Sequence, residues 1–246
     1  MTTHDLEISR SVMIGDTADV YFHRTLTILR NEGLNPEVQM EFFPAQSGIL
    51  CGMNEVRSLL TKVLPETGRE VWALEEASPI DQGEVILRIS APYASFGLYE
   101  TAICGILSSC TAWATAAREC VDAADGIPVV SFGARHVHPS VVGIMEYSAV
   151  VGGCVSCSSV LGARLTDLTP SGTMPHALIL VMGDTLRAVQ AFDRHMPPDV
   201  PRVALVDTYH DEAEEAIKVA RAMRENLRGV RLDTAKERGG VTSDLV

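Results

Sequence analysis

The chain has 246 residues, 46% of them hydrophobic and 21% charged, and its 32 acidic against 20 basic side chains give a formal net charge of −12. That length holds one large domain or two modest ones around a real core, and the acidic balance, with no Lys/Arg-rich run, argues against nucleic-acid binding. Every long apolar stretch is broken by Gly, Ser, Thr or a charge before it reaches the length of a membrane span, so no membrane crossing is expected.

In chain order, the amino terminus MTTHDLEISR lacks the basic and apolar blocks of a leader. Residues 37–43 (EVQMEFF) alternate polar and apolar side chains as a half-buried strand does, and residues 51–64 have helical spacing. Two further strands are expected in EVWALEEA and EVILRIS, separated by a turn over 78–83. A long helix rich in small residues follows from 96 to about 122, with a break expected at Ser108-Ser109. From there strand and helix alternate. IPVVSFG, GCVSCS, VPRVALVDT and GVRLDT read as strands, while 140–151, 159–165, the segment opened by Met174-Pro175 and 211–226 read as helices. Such alternation implies parallel βαβ units. The fold expected is α/β: a sandwich domain over 1–105, then an incomplete, irregular parallel α/β barrel over 106–246. About five units are present where a full barrel needs eight, and the chain stops on Gly-Gly-Val-Thr-Ser-Asp-Leu-Val, as if a helix had just begun. A truncated barrel, natural or not, is the expectation.

Polar residues gather just after the strands: Arg135 and His136, Ser156 and Ser158, Thr173 and His176, Asp207 and His210, and Asp233. In a parallel barrel these positions share the rim where active sites are built. Ser171-Gly172-Thr173 ahead of Pro175 suits a helix start, with Thr173 as cap, free backbone N–H groups for an anion, and a glycine that lets a phosphate come close. His176 there is either a group that binds phosphate, moves a proton or accepts a phosphoryl group, or a solvated side chain on a capped helix. Asp207 and Asp233, at two strand ends, suit sugar hydroxyls or Mg²⁺, and either could equally cap a following helix. Arg135, with His136 beside it, offers a planar fork for carboxylate or phosphate, or is a surface arginine.

Six cysteines stand at 51, 104, 110, 120, 154 and 157. Cys154 and Cys157 have CxxC spacing, yet no second pair completes a zinc site, so both read as buried and structural in a reduced, cytoplasmic setting. The acidic run 211–215 reads as the first turn of a solvated helix. Neither GxxxxGK[ST] nor GxGxxG occurs.

Taken together and in order, PYASFGLYETAICGILS (92–108), SFGARHVHP (131–139), SGTMPHA (171–177), ALVDTYH (204–210) and GVRLDT (229–234) resemble the nicotinate phosphoribosyltransferase family, and Asp19-Val20-Tyr21 resembles its amino-terminal Asp-x-Tyr. The resemblance implies a type II phosphoribosyltransferase that joins nicotinate to 5-phosphoribosyl diphosphate (PRPP), on the way to NAD, and couples the reaction to ATP through a phosphohistidine. The family's Gly-Thr-x-x-His element falls on Gly172, Thr173 and His176, which makes His176 the phosphorylated residue. By the same resemblance Thr173, and Tyr21 reaching across a dimer interface, lie near nicotinate. Ser171, Gly172, Arg135 and His136 face substrate anions, while Asp207 and Asp233 face ribose hydroxyls and Mg²⁺. A homodimer with shared sites is implied. The chain departs from the family in having Thr-Ala where Ser-Gly-Asp is frequent, and His136 where a second arginine is frequent. Two alternatives remain open at this point: a quinolinate phosphoribosyltransferase-like enzyme, and a catalytically silent truncated paralogue that only dimerises or regulates.

Overall fold

The structure is a computed structural model that describes residues 8–243 and residue 246. The expectation that no leader is present falls largely on residues 1–7, and part of the turn expected at the carboxyl end falls on 244 and 245, which lie outside the described residues. The chain forms two compact units that part between Ser171 and Gly172. Near residue 105, where the sequence analysis divides the chain, a single 24-residue helix runs through Glu100–Ala123.

The first unit opens with a one-turn helix α1 (Arg10–Met13) and with α2 (Val20–Asn31). β1 (Glu37–Phe42) keeps the predicted alternation, exposed and half-buried in turn until buried Phe42. β2 (Gly48–Ile49) leads into α3 (Met53–Val63), which buries Met53, Val56, Leu59 and Leu60 at spacings of three and four along one face. The first residue of that helix follows Gly52, whose φ of 93° no other residue adopts cheaply. No side chain of its own caps α3; instead the Glu76 carboxylate accepts from the Gly52 and Asn54 amides at 2.8 and 3.0 Å. β3 (Glu70–Ala73), β4 (Pro79–Ile80) and β5 (Leu87–Pro92) follow. β5 is central, antiparallel to β1 with Met40 opposite Ile89 and antiparallel to β3 with Val71 opposite Ile89, while β2 and β4 pair separately. Leu50, Leu87, Ile89, Phe96, Ile103 and Leu107 fill the core beside α3.

After α4 (Tyr93–Phe96) comes α5 (Glu100–Ala123), the helix that spans the predicted boundary. It is continuous: the break expected at Ser108-Ser109 does not occur, and the Ser109 hydroxyl bonds back to the Gly105 carbonyl at 2.7 Å inside the unbroken helix. β6 (Val130–Ser131), α6 (Val142–Val151) and β7 (Ser156–Cys157) form a parallel βαβ unit, with Val130 opposite Ser156 and Ser131 opposite Cys157. Both strands are shorter than the apolar runs that predict them. α7 (Val160–Leu165) closes the unit. Cys154 and Cys157 are buried and free, and burial pushes the Cys157 thiol up to about 11, which fits the structural role expected of them.

The second unit begins with α8 (His176–Met182). Here the capping expectation for Thr173 is corrected: Pro175 occupies the N-cap position without a side-chain bond, and the Thr173 hydroxyl is buried with no hydrogen-bond partner. Gly183, at φ 77°, ends the helix, and Asp184 starts α9 (Thr185–His195) by accepting from the Arg187 amide at 2.7 Å. β8 (Val203–Leu205) and β9 (Gly229–Arg231) are parallel and joined by α10 (Glu212–Met223), which Asp211 caps through the Ala213 and Glu214 amides. Met174, Ile179, Val189, Leu205, Val206 and Val219 form this unit's core. The chain is thus α/β as expected, antiparallel sheet first and parallel strand–helix units after it. Among the described residues no helix is long and apolar enough to cross a membrane.

Candidate active site

The parallel register of β8 and β9 pairs Leu205 with Arg231. Asp207 and Asp233 each stand two residues beyond that pair, so both leave the strand tips at the same level. Neither caps a helix, since Asp211 does that for α10. The Asp233 amide donates instead to Asp207 Oδ2, tying the two tips together. Asp207 is buried, and its Oδ1 finds no hydrogen-bond partner. That oxygen lies 3.6 Å from Nδ1 of His176, while Asp233 Oδ2 lies 3.8 Å from Nε2. The imidazole, on the first residue of α8, therefore has a carboxylate near each nitrogen. Its side chain is 38% exposed, against none for Asp207 and 49% for Asp233, so the imidazole is partly open to solvent.

Three residues that no motif singles out complete the arrangement. Thr208 Oγ1 lies 3.0 Å from His176 Nδ1 and fixes the ring's orientation, as donor or acceptor according to the tautomer. Arg231 Nη2 meets Asp233 Oδ2 at 2.8 Å, which offsets the second carboxylate. Arg238, from the one-turn 3₁₀ segment Lys236–Arg238, donates Nη1 to the Asp207 carbonyl at 2.6 Å and Nη2 to the His210 carbonyl at 3.2 Å. A residue flanking a strand-end aspartate is a weak signal for Thr208. Nothing in the local sequence marks Arg238.

Of the other predicted residues, Gly172 and Thr173 belong to this unit, and a Cβ added at Gly172 would meet no atom within 4 Å. Ser171, Arg135, His136 and Tyr21 belong to the first unit. Arg135 and His136 sit exposed on the 3₁₀ turn Gly133–His136 that follows β6, and the Ser171 amide donates to the Cys157 carbonyl at 2.8 Å. Tyr21 is exposed in the first turn of α2. Its hydroxyl donates to Asp19 Oδ2 at 3.1 Å, and that carboxylate holds the phenol above its usual range.

Among the described residues no cluster of three or more His, Cys, Asp or Glu is placed to hold a metal ion. Two carboxylates with an unpartnered buried oxygen, Asp207 Oδ1, fit the sparser demand of Mg²⁺, which commonly takes one or two carboxylates and completes its shell with water and substrate phosphate.

The model of the quinolinate phosphoribosyl transferase N-terminal domain matches residues 19–111, and that of the C-terminal domain matches residues 113–242, the two meeting inside α5. The chain belongs to the quinolinate phosphoribosyltransferase family. A nicotinate phosphoribosyltransferase of Mycobacterium tuberculosis is 31% identical over 170 residues, 67% of this chain and 36% of that protein. One from Bacillus subtilis is 29% identical over 169 residues, 66% of this chain and 34% of that protein. The chain thus spans only about a third of the length of these curated relatives. The crystal structure of nicotinate-nucleotide pyrophosphorylase from Pyrococcus furiosus superposes with a TM-score of 0.91 at 38% identity, over all of this chain and 64% of that one. Human nicotinic acid phosphoribosyltransferase shares the fold, with a TM-score of 0.68 at 20% identity.

Proposed function

We propose that the chain carries the activity of a nicotinate phosphoribosyltransferase, which joins nicotinate to PRPP with loss of pyrophosphate and draws on ATP through phosphorylation of His176. The observation that carries this reading is the seat of His176, a partly open imidazole oriented by Thr208 and flanked by Asp207 and Asp233. A carboxylate beside an imidazole fixes its tautomer and orientation, which suits a nitrogen that must attack phosphorus. The P–N bond forms as the bond between the γ-phosphorus and the oxygen of ADP breaks.

Displacing pyrophosphate from ribose leaves an electron-poor sugar, so the protein's task is placement and neutralisation of the departing phosphates. Asp207 and Asp233 would hold Mg²⁺ against the diphosphate, and the ion's charge would supply much of that neutralisation. In this reading Arg135, His136 and Ser171 are anion-binding candidates of the first unit, while in the second Gly172 takes a substrate anion and Thr173 lies beside nicotinate. Its orphaned buried hydroxyl supports the last assignment, since a ligand would satisfy it. The working form is a cytoplasmic homodimer in which Tyr21 reaches the partner's site. In support, α2 carries Tyr21 exposed and buries only Phe22.

The name of the matching family models favours a second reading, with quinolinate as substrate. A dicarboxylate calls for additional cations, and the arginines near His176 are committed, Arg231 to Asp233 and Arg238 to backbone carbonyls. Nicotinate is therefore preferred.

The test is labelling with γ-phosphate-labelled ATP. The wild-type protein is expected to take up acid-labile, base-stable phosphate, and His176→Asn to take up none. Equal labelling of that variant, or no labelling of the wild type, would refute the phosphohistidine.

A further inference from the structure

Two of the groups beside the His176 ring sit on one short piece of chain. Asp207 supplies the carboxylate at 3.6 Å and Thr208 the hydroxyl at 3.0 Å, and both lie beyond the end of β8, where no sheet partner holds the backbone. Carbonyls in such a loop need donors. One side chain provides them. Arg238 Nη1 donates to the carbonyls of Asp207 at 2.6 Å and Thr208 at 3.5 Å, and Nη2 donates to that of His210 at 3.2 Å. The guanidinium thus closes 207–210 from behind with its planar fork, a geometry that lysine's single ammonium cannot reproduce.

Its own placement is independently fixed. Ala235 begins the turn that carries Arg238, and the Arg238, Gly239 and Gly240 amides bond back within it at 2.9 to 3.0 Å. Thr234 anchors the same stretch by donating to Glu212 Oε1 at 2.7 Å. Both glycines have positive φ, 104° and 69°, so the turn needs them. The chain after β9 therefore wraps back over the tip of β8.

We propose that Arg238 is a positioning residue for His176: by clamping the carbonyls of Asp207, Thr208 and His210 it holds the carboxylate and hydroxyl that orient the imidazole. The consequence for catalysis rests on the phosphoryl-acceptor reading of His176, whereas the clamp itself does not. Arg238 bonds to the backbone carbonyls of Asp207, Thr208 and His210 and not to His176 itself, so its loss acts on the rate of phosphorylation and leaves ATP binding in place.

Two measurements on the full chain test this. In the first, hydrogen–deuterium exchange of Arg238→Ala is compared with wild type. Amides 207–210 and that of Asp233 are expected to exchange faster while those of α9 are unchanged; unchanged exchange at 207–210 overturns the clamp, whatever the activity. In the second, phosphate transfer from ATP to His176 is timed at saturating and limiting ATP. The rate in Arg238→Ala is expected to fall on the order of tenfold to a hundredfold with half-saturation unchanged, as misplacement of a reacting group does. Arg238→Lys should recover little of it, and added guanidinium ion should recover much. A wild-type rate in Arg238→Ala overturns the positioning role, and so does loss explained wholly by weaker ATP binding. Absence of labelling in the wild type would instead defeat the reading of His176, and exchange at 207–210 would still decide the clamp.

Discussion

Glu146 is a carboxylate with no exposed surface, yet it is not short of partners. Its Oε1 accepts from the amide and hydroxyl of Ser158 at 3.0 and 2.7 Å, and its Oε2 from the amide of Ser159 at 3.0 Å and from that residue's hydroxyl. Burial raises its pKa, but these four donors lower it further and win, leaving it below the ordinary value of 4.5. Stability from a depressed carboxyl is full above 4.5 and is lost as pH falls through the lower native value. Glu146→Gln should therefore cost about 2 kcal/mol at neutral pH, because the amide nitrogen that replaces one oxygen leaves two of the four donors without an acceptor and the other two with a neutral one. Urea unfolding followed from pH 7 downward is expected to show wild type and variant converging in acid; a constant gap would contradict the charge-based account.

At the same scale, His176, Asp207 and Asp233 are legible from sequence because each follows an apolar strand or opens a helix after a glycine. Thr208 and Arg238 are not. Their roles depend on the return of the chain after β9 over the tip of β8, a long-range contact with no local periodicity. Thr173 misleads for a related reason: it has the type and spacing of a cap, but its hydroxyl points elsewhere and α8 starts without one.

Among elements, strong periodic segments such as β1, α3 and α10 follow their sequence patterns closely, because one buried face decides both. α2 and α9 escape the sequence analysis. α2 buries a single residue and so offers almost no apolar stripe, and α9 follows α8 after only Gly183 and Asp184, too short a connection to mark a second helix. The paired two-residue strands β2 and β4 carry no pattern at all. α5 and α6 depend on a close approach that only glycine permits. A Cβ on Gly152, at the end of α6, would strike the Ala114 carbonyl oxygen and come within 2.8 Å of the Ala117 Cβ. Gly152→Ala should push the helices apart and cost about 1–3 kcal/mol, as overpacking does. Thermal unfolding checks this, and an unchanged midpoint would mean that α6 shifts freely.

For the whole molecule, composition and alternation announce an α/β chain, and the ordered motifs carry the resemblance to phosphoribosyltransferases on which the proposed reaction rests. How the chain divides is less legible. The family models meet at residue 112 and the compact units part after Ser171, because α5 is continuous through the first position while α6, β7 and α7 pack as one with α5. Which pyridine acid is used turns on cations near the ring, a property of side-chain commitments that no motif spells out. One assay addresses it directly: the protein with PRPP and Mg²⁺, given nicotinate or quinolinate, with and without ATP, followed for mononucleotide and CO₂. Nicotinate mononucleotide formed faster with ATP and without CO₂ is the predicted result. ATP-independent release of CO₂ from quinolinate, with nicotinate inert, would contradict it.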